Sequence, residues 1–374
     1  MLYYLYSYSL QNPDYSFLRI FQYVTFRAAG AAVFAFLLAL LFGKLTVRVL
    51  KHWQAVAPSR HEGLLPPEEL DKKKNATPSM GGLLILLSVL LSMIIWAQPA
   101  NSLVQIFLFL MIAMGAIGFA DDYIKISRCT RDGLSGKAKL ILQTLIAGTA
   151  VYFLDKVPES GEYMRDFMVP LYKYAVATLP LWAVLIFGIL VIVGSSNAVN
   201  LSDGMDGLAA GCTVTCSITF AIFAYLCGHA EFATYLQIPS ISGASEVVVI
   251  AGAMAGATLG FLWHNCYPAS MFMGDTGSLS IGGAIGLIAV LVKQELVLVV
   301  VGGIFVIEAG SVILQVGGYK LTRRFTGTPR RIFLCAPYHH HLRRKGWTET
   351  QIVIRFWILS VVLAAIGLAT LKIR

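Results

Sequence analysis

Long apolar runs separated by short polar connections set the pattern of this chain. A helix that crosses a membrane needs about 20 mostly apolar residues. Ten runs fit, over about 22–47, 80–97, 103–120, 139–154, 179–197, 207–228, 246–263, 279–293, 296–317 and 352–371. The eighth carries the weakest signal, being short and rich in glycine. No connection is long enough for a separate soluble domain. The pattern predicts an all-α polytopic membrane protein, one integral domain over 1–374 with about ten transmembrane helices.

Composition agrees. The chain is 57% hydrophobic and 13% charged, where soluble domains carry roughly 25% charged residues. The net charge of +9 points to the bilayer rather than to nucleic acid, because of where the basic residues lie. Lys44, Arg48, Lys51, Arg60 and Lys72 to Lys74 follow the first run. Lys125, Arg128, Arg131, Lys137 and Lys139 follow the third, and Lys320 to Lys345 the ninth. The connections 98–102 and 229–245, of opposite parity, have no Lys or Arg. Basic loops stay in the cytoplasm, so both termini are expected on the periplasmic side, which needs an even number of spans. The six cysteines form no CxxC pair and no disulfide spacing. The N-terminus lacks a basic start and a cleavage site, so the first span serves as the insertion signal.

On this map every polar cluster falls on the cytoplasmic face. Residues 120–125 (ADDYIK) leave the third run. Asp121 and Lys125 share a helical face, while Asp122 points about 100° away. Two acids at a helix C-terminus oppose its dipole and favour a nearby cation; a solvated cap is the plain alternative. Residues 197–207 (NAVNLSDGMDG) hold Asp203 and Asp206, each followed by glycine, which permits close approach of a ligand or simply a turn. Residues 272–278 (FMGDTGS) set Asp275 between two glycines, as a site residue or an N-cap, with Phe272 able to stack on a planar base or to pack. Five acids with Lys72, Lys125 and Lys137 suit a divalent metal and phosphate groups, as Mg²⁺ prefers. Adjacent His339, His340 and His341 suit a tetrahedral zinc poorly. Inside the spans, Glu308 reads as a buried acid paired to a neighbouring helix, with a transporter's midplane group as the alternative. Arg27, Lys293 and Arg355 lie nearer span ends, where they can snorkel.

The motifs DDYIK, GLSGKAKL at 133–140, NAVNLSDGMDG, FMGDTGS and PYHHH stand in one order and on one face. As a set they resemble the polyprenyl-phosphate N-acetylhexosamine-1-phosphate transferases, over about 20–371. TPSMGG at 77–82, the three-histidine loop and the KGW…RFWI tail favour the branch that takes UDP-N-acetylmuramoyl-pentapeptide over the one that takes UDP-N-acetylglucosamine. The resemblance implies transfer of the phospho-sugar to undecaprenyl phosphate with release of UMP, Mg²⁺ as cofactor, a multi-pass protein of the bacterial inner membrane, an active site at the cytoplasmic face, and a homodimer. It implies Asp275 as the metal ligand, with Asp121 and Asp122 as further candidates, and Asp121 as the group that handles the lipid phosphate. Asn200, Asp203 and Gly204 would line the nucleoside end, and Asp206, Asn265 and Phe272 the uracil. Lys72, Thr77, Lys125 and Lys137 would neutralise phosphates; His339, His340 and His341 would close the site. A covalent aspartyl intermediate and direct attack by the lipid phosphate both remain open. The family often has glycine at Ala76, threonine at Ser79 and an acid near the histidines, where this chain has Leu342-Arg343-Arg344. That last departure leaves open what pairs with the histidines. The sister transferase and a transporter are the alternatives.

Overall fold

A computed structural model describes residues 1–53, 55, 77–128, 130, 132–328 and 330–372. Each apolar run folds as one helix except the ninth, which folds as two. Helix α1 (Tyr3–Gln11) and a 3₁₀ segment (Pro13–Gln22) precede the first span, α2 (Val24–His52). Then come α3 (Gly82–Trp96), α4 (Ser102–Ser127), α5 (Gly136–Lys156), the short α6 (Pro158–Met164), α7 (Leu181–Ser202) and α8 (Leu208–Cys227). The short α9 (Ala230–Leu236) leads to α10 (Ser245–Asn265), α11 (Gly274–Leu291), α12 (Glu295–Val301), α13 (Gly303–Thr326), the short α14 (Tyr338–Arg344) and α15 (Glu349–Ala369). Between α6 and α7 a small antiparallel pair, β1 (Asp166–Phe167) and β2 (Ala177–Thr178), pairs Asp166 with Thr178.

Among the described residues nine helices are long and apolar enough to span. The remaining run, the second, is α3, with 15 residues. At 1.5 Å per residue it covers roughly 22 Å. The ninth run divides at Gly302, whose φ of −86° and ψ of 17° leave the helix, so α12 and α13 replace one continuous span. Adjacent Gly302 and Gly303 supply the break, since glycine weakens a helix interior.

The eighth run, weakest by sequence, is the centre of the molecule. Every residue of α11 is buried, with α3, α4, α5, α7 and α8 packed around it. Apolar lipid gives helices little hydrophobic reason to associate, so small residues that let backbones close up carry the packing. At Gly286 an added Cβ would stand 2.8 Å from the Ile192 Cα of α7, and at Gly282 2.8 Å from the Ser195 carbonyl. The glycines that weaken the apolar signal are the ones that let α11 sit inside.

Arg27 does not snorkel. It is 1% exposed and forms a bidentate pair with Glu246, at 2.7 Å for Nη1 to Oε2. Its guanidinium also lies 4.9 Å from the Tyr3 ring centre. The start of α2 and the start of α10 are thereby joined at the end of the bundle away from the polar clusters. Lys293 is buried as well, bonded to Glu295 at 2.8 Å and to the Met164 carbonyl at 3.3 Å. Arg355 lies over the Trp347 ring at 4.1 Å.

Candidate active site

Helix α4 does not stop at the acids. Residues 121–127 contain no glycine or proline, and the helix runs to Ser127. Asp121 and Asp122 are therefore held inside a regular helix, both buried. Their divergent directions send them to different neighbours. Lys125, one turn on, pairs with Asp121. The backbone N–H of Leu134 donates to Asp121 Oδ1 at 2.9 Å, so the loop that opens α5 closes over this carboxylate.

Asp122 reaches the start of α11. Its Oδ1 accepts from the backbone N–H of Asp275 at 3.1 Å, and its Oδ2 from the backbone N–H of Thr276 at 3.0 Å and the Thr276 hydroxyl at 2.8 Å. The first N–H groups of a helix have no partner of their own, and an anion there meets the positive end of the dipole. The acid that opposed the dipole of its own helix thus caps another. Gly274 makes this approach possible: its φ is +74°, and a Cβ there would lie 2.7 Å from Asp122 Oδ2.

The N-cap alternative for Asp275 fails. Asp275 is the second residue of α11, and its carboxylate turns to other helices. Oδ1 accepts from Asn200 Nδ2 of α7 at 2.7 Å, and Oδ2 from Lys125 Nζ at 3.2 Å and from Lys139 of α5. Lys139 Nζ also lies 3.8 Å from Asp121 Oδ2. One oxygen from each of Asp121, Asp122 and Asp275 falls within 4.8 Å of the others. Three buried carboxylates meet two ammonium groups at one end of the bundle. The donor set is all oxygen, which fits a hard divalent cation such as Mg²⁺ rather than a soft metal.

The remaining expected residues take definite places. Asn200 orients Asp275 and also donates to Ser278 Oγ at 2.8 Å. Asp203 Oδ2 accepts from the Gly274 N–H at 3.2 Å. Asp206 Oδ2 accepts from the Ala269 N–H at 3.0 Å, and its own N–H donates to Glu349 at 3.1 Å. Asn265 is buried with both ends of its amide engaged, accepting from the Gly207 N–H at 3.0 Å and donating to the Met271 carbonyl at 2.9 Å. Asp206 and Asn265 thus brace the loops around the site. Phe272 is partly exposed, and its backbone pairs with Pro78 and Gly81 at 2.9 and 2.8 Å, tying the start of α3 to the start of α11. Thr77 donates to the Ala269 carbonyl at 3.5 Å. Lys137 is exposed on α5. Lys72 lies outside the described residues.

His339 pairs with Glu308, Nδ1 to Oε2 at 2.9 Å, both side chains fully buried. The expected partner on a neighbouring helix is therefore one of the three histidines. The His340 ring lies 4.1 Å from that of His339. His341 packs on Tyr338 at 5.5 Å and accepts from the Leu334 N–H at 3.1 Å. Burial, then the Lys345 charge, lowers its pKa from the usual imidazole value, in keeping with a ring nitrogen that accepts.

Lys139 is the residue the sequence reading missed. Positions 137 and 139 lie about 200° apart on a helix, so only one can face the acids, and the sequence alone does not say which.

A family model described as glycosyl transferase family 4 matches residues 104–293, which hold α5, α7, α11 and nearly all of α4. The chain is 45% identical to a phospho-N-acetylmuramoyl-pentapeptide-transferase of Methylacidiphilum infernorum, covering 100% of both chains. It is 47% identical to one of Desulfotalea psychrophila over 95% of both, and 48% identical to one of Neisseria meningitidis over 96% of both. With identity this high over its full length, the chain belongs to the phospho-N-acetylmuramoyl-pentapeptide transferases, within glycosyl transferase family 4.

Proposed function

We propose that the chain transfers phospho-N-acetylmuramoyl-pentapeptide from its UDP donor to undecaprenyl phosphate, releasing UMP and leaving the first lipid-linked cell-wall precursor in the bacterial inner membrane. The observation that carries this reading is the meeting of Asp121, Asp122 and Asp275 with Lys125 and Lys139 at one end of a membrane bundle. A lipid phosphate rests at that level of the bilayer, and a soluble nucleotide reaches it from the cytoplasm. On this reading the site end is cytoplasmic, both termini are periplasmic, and the enzyme works as a homodimer.

Asp121, Asp122 and Asp275 are the residues that would hold Mg²⁺. When bound, the ion supplies charge neutralisation to the diphosphate. The rest falls to the chain's own groups. Lys125 and Lys139 bind phosphate oxygens and keep two like-charged substrates together. Asn200 fixes the rotation of the Asp275 carboxylate. Asp122 accepts from α11 with both oxygens, so it also anchors that helix. Asp121 faces Lys125 and Lys139, where it orients the acceptor phosphate. In-line attack by that phosphate on the donor's β-phosphorus breaks the bond to UMP and needs no aspartyl ester. All three carboxylates already accept hydrogen bonds, which favours direct attack over a covalent intermediate.

The test is transfer of radiolabel from each UDP-sugar to undecaprenyl phosphate by purified enzyme in detergent. Label is expected in lipid from the muramoyl-pentapeptide donor, with UMP released and the reaction stopped by EDTA. Labelled lipid from UDP-N-acetylglucosamine alone would overturn the choice of donor.

A further inference from the structure

Glu308 touches His339 twice. Its Oε2 lies 2.9 Å from Nδ1, and its Oε1 accepts from the His339 backbone N–H at 3.1 Å. Both side chains are 0% exposed. One carboxylate therefore fixes both the main-chain position and the ring rotation of a single residue. A carboxylate can only accept, so Nδ1 carries the proton and the free edge of the ring is Nε2. Among the described residues Nε2 has no hydrogen-bond partner, although it is buried. Buried polar atoms in native proteins are rarely left so.

The direction of that edge is defined. A Cβ on Gly204 would stand 2.4 Å from Nε2, so the ring lies directly against this glycine. Gly204 follows Asp203, whose carboxylate holds the N–H of Gly274, the neighbour of Asp275. The unused edge of the ring thus faces the loop that borders the three acids.

We propose that Glu308 is a positioning residue for the transfer reaction, keeping His339 in its Nδ1–H form so that Nε2, beside Gly204, is held as a hydrogen-bond acceptor for a hydroxyl or N–H of the UDP-sugar donor. The proposal rests on the transferase reading above. The chemistry that fits Nε2 is a hydroxyl or N–H donor, which a ribose and a uracil both supply. Glu308 does not meet substrate; it acts through His339.

Glu308→Gln separates this role from simple packing. Glutamine keeps the shape and can still accept from the His339 N–H, but its amide donates to Nδ1. The ring then takes the opposite tautomer, and Nε2 becomes a donor. The experiment compares Glu308→Gln, His339→Ala and the double variant in the full-length enzyme, reading kcat and KM for the UDP donor alongside thermal unfolding. Each single change is expected to lower kcat/KM at least about thirtyfold, and the double change to fall within about threefold of the worse single, because residues acting as a unit are not additive. Losses that multiply would overturn the proposal. A second pair leaves Glu308 intact. His339→Gln, whose amide reaches the Nε2 position, is expected to retain at least about tenfold more activity than His339→Asn, which reproduces only Nδ1. The reverse order would also overturn it. Wild-type UMP release is the separate control: if wild type turns over and the losses multiply, the role of Glu308 falls while the transferase reading stands.

Discussion

Two sets of charge are buried at opposite ends of this bundle, and they are built differently. Arg27 and Glu246 balance one to one, fork to fork, across the starts of α2 and α10. Among the described residues, the three acids at the start of α11 and within α4 meet two lysines, and they draw on α4, α5, α7 and α11 at once. Burying an ion pair is tolerable only when each charge is matched and its hydrogen bonds are made. The Arg27 pair matches its charges, with Arg27 Nε left without a hydrogen-bond partner among the described residues. The acid cluster brings three carboxylates from two helices to one place, with Asp122 held by the α11 N-terminus, and its all-oxygen donor set suits a hard cation. A closed pair of charges joining two helices reads as architecture; three acids gathered with groups from four helices read as chemistry.

The contrast is broken most severely by Asp275→Asn. We predict a loss of about 10⁴-fold in transfer, or about 5.5 kcal/mol at the barrier, with the thermal unfolding midpoint in detergent nearly unchanged. Near wild-type transfer would remove Asp275 from the centre of the site. The mirror experiment is Glu246→Ala. It strands the Arg27 charge and is expected to cost about 3–5 kcal/mol of stability while kcat per folded enzyme holds. Pairing it with Arg27→Met should restore most of that stability; a fall in kcat would show that this pair is not purely architectural. Next comes Lys139→Met, with an expected loss of about a hundredfold, or about 2.7 kcal/mol, seen in kcat/KM for the UDP donor. The smallest effect is expected at Lys137→Met, less than about threefold, or under about 0.7 kcal/mol. If Lys137 proves the more sensitive lysine, the facing assigned to α5 is wrong.

The fold was legible because apolar runs of spanning length have few other meanings. The positions of Asp121, Asp122, Asn200, Asp203 and Asp275 along the chain placed them at one end before any coordinates did. What the sequence could not show was partnership between distant segments. Asp122 caps a helix that begins 152 residues later, and no local spacing announces that. Glu308 was expected to pair with another helix, but His339 could not be picked as its partner. Arg27 sits near a span end, where snorkelling is the ordinary expectation; only the position of Glu246 on α10 makes its burial possible. Asn265 and Asp206 have the side chains of ligand contacts, yet their hydrogen bonds go to the loops.

The full burial of α11 has a consequence for how the enzyme is made. Its small residues and polar first turn make it less apolar than α4, so lipid alone holds it poorly. Its place is secured by the walls that α4 and α7 provide and by the Asp122 carboxylate, all of which leave the ribosome earlier. Biogenesis in the translocon therefore ends, for the three-acid cluster, with the docking of α11. Until that helix is seated, Asp275 is absent from the cluster, and a half-assembled chain in the membrane has no complete site with which to capture nucleotide.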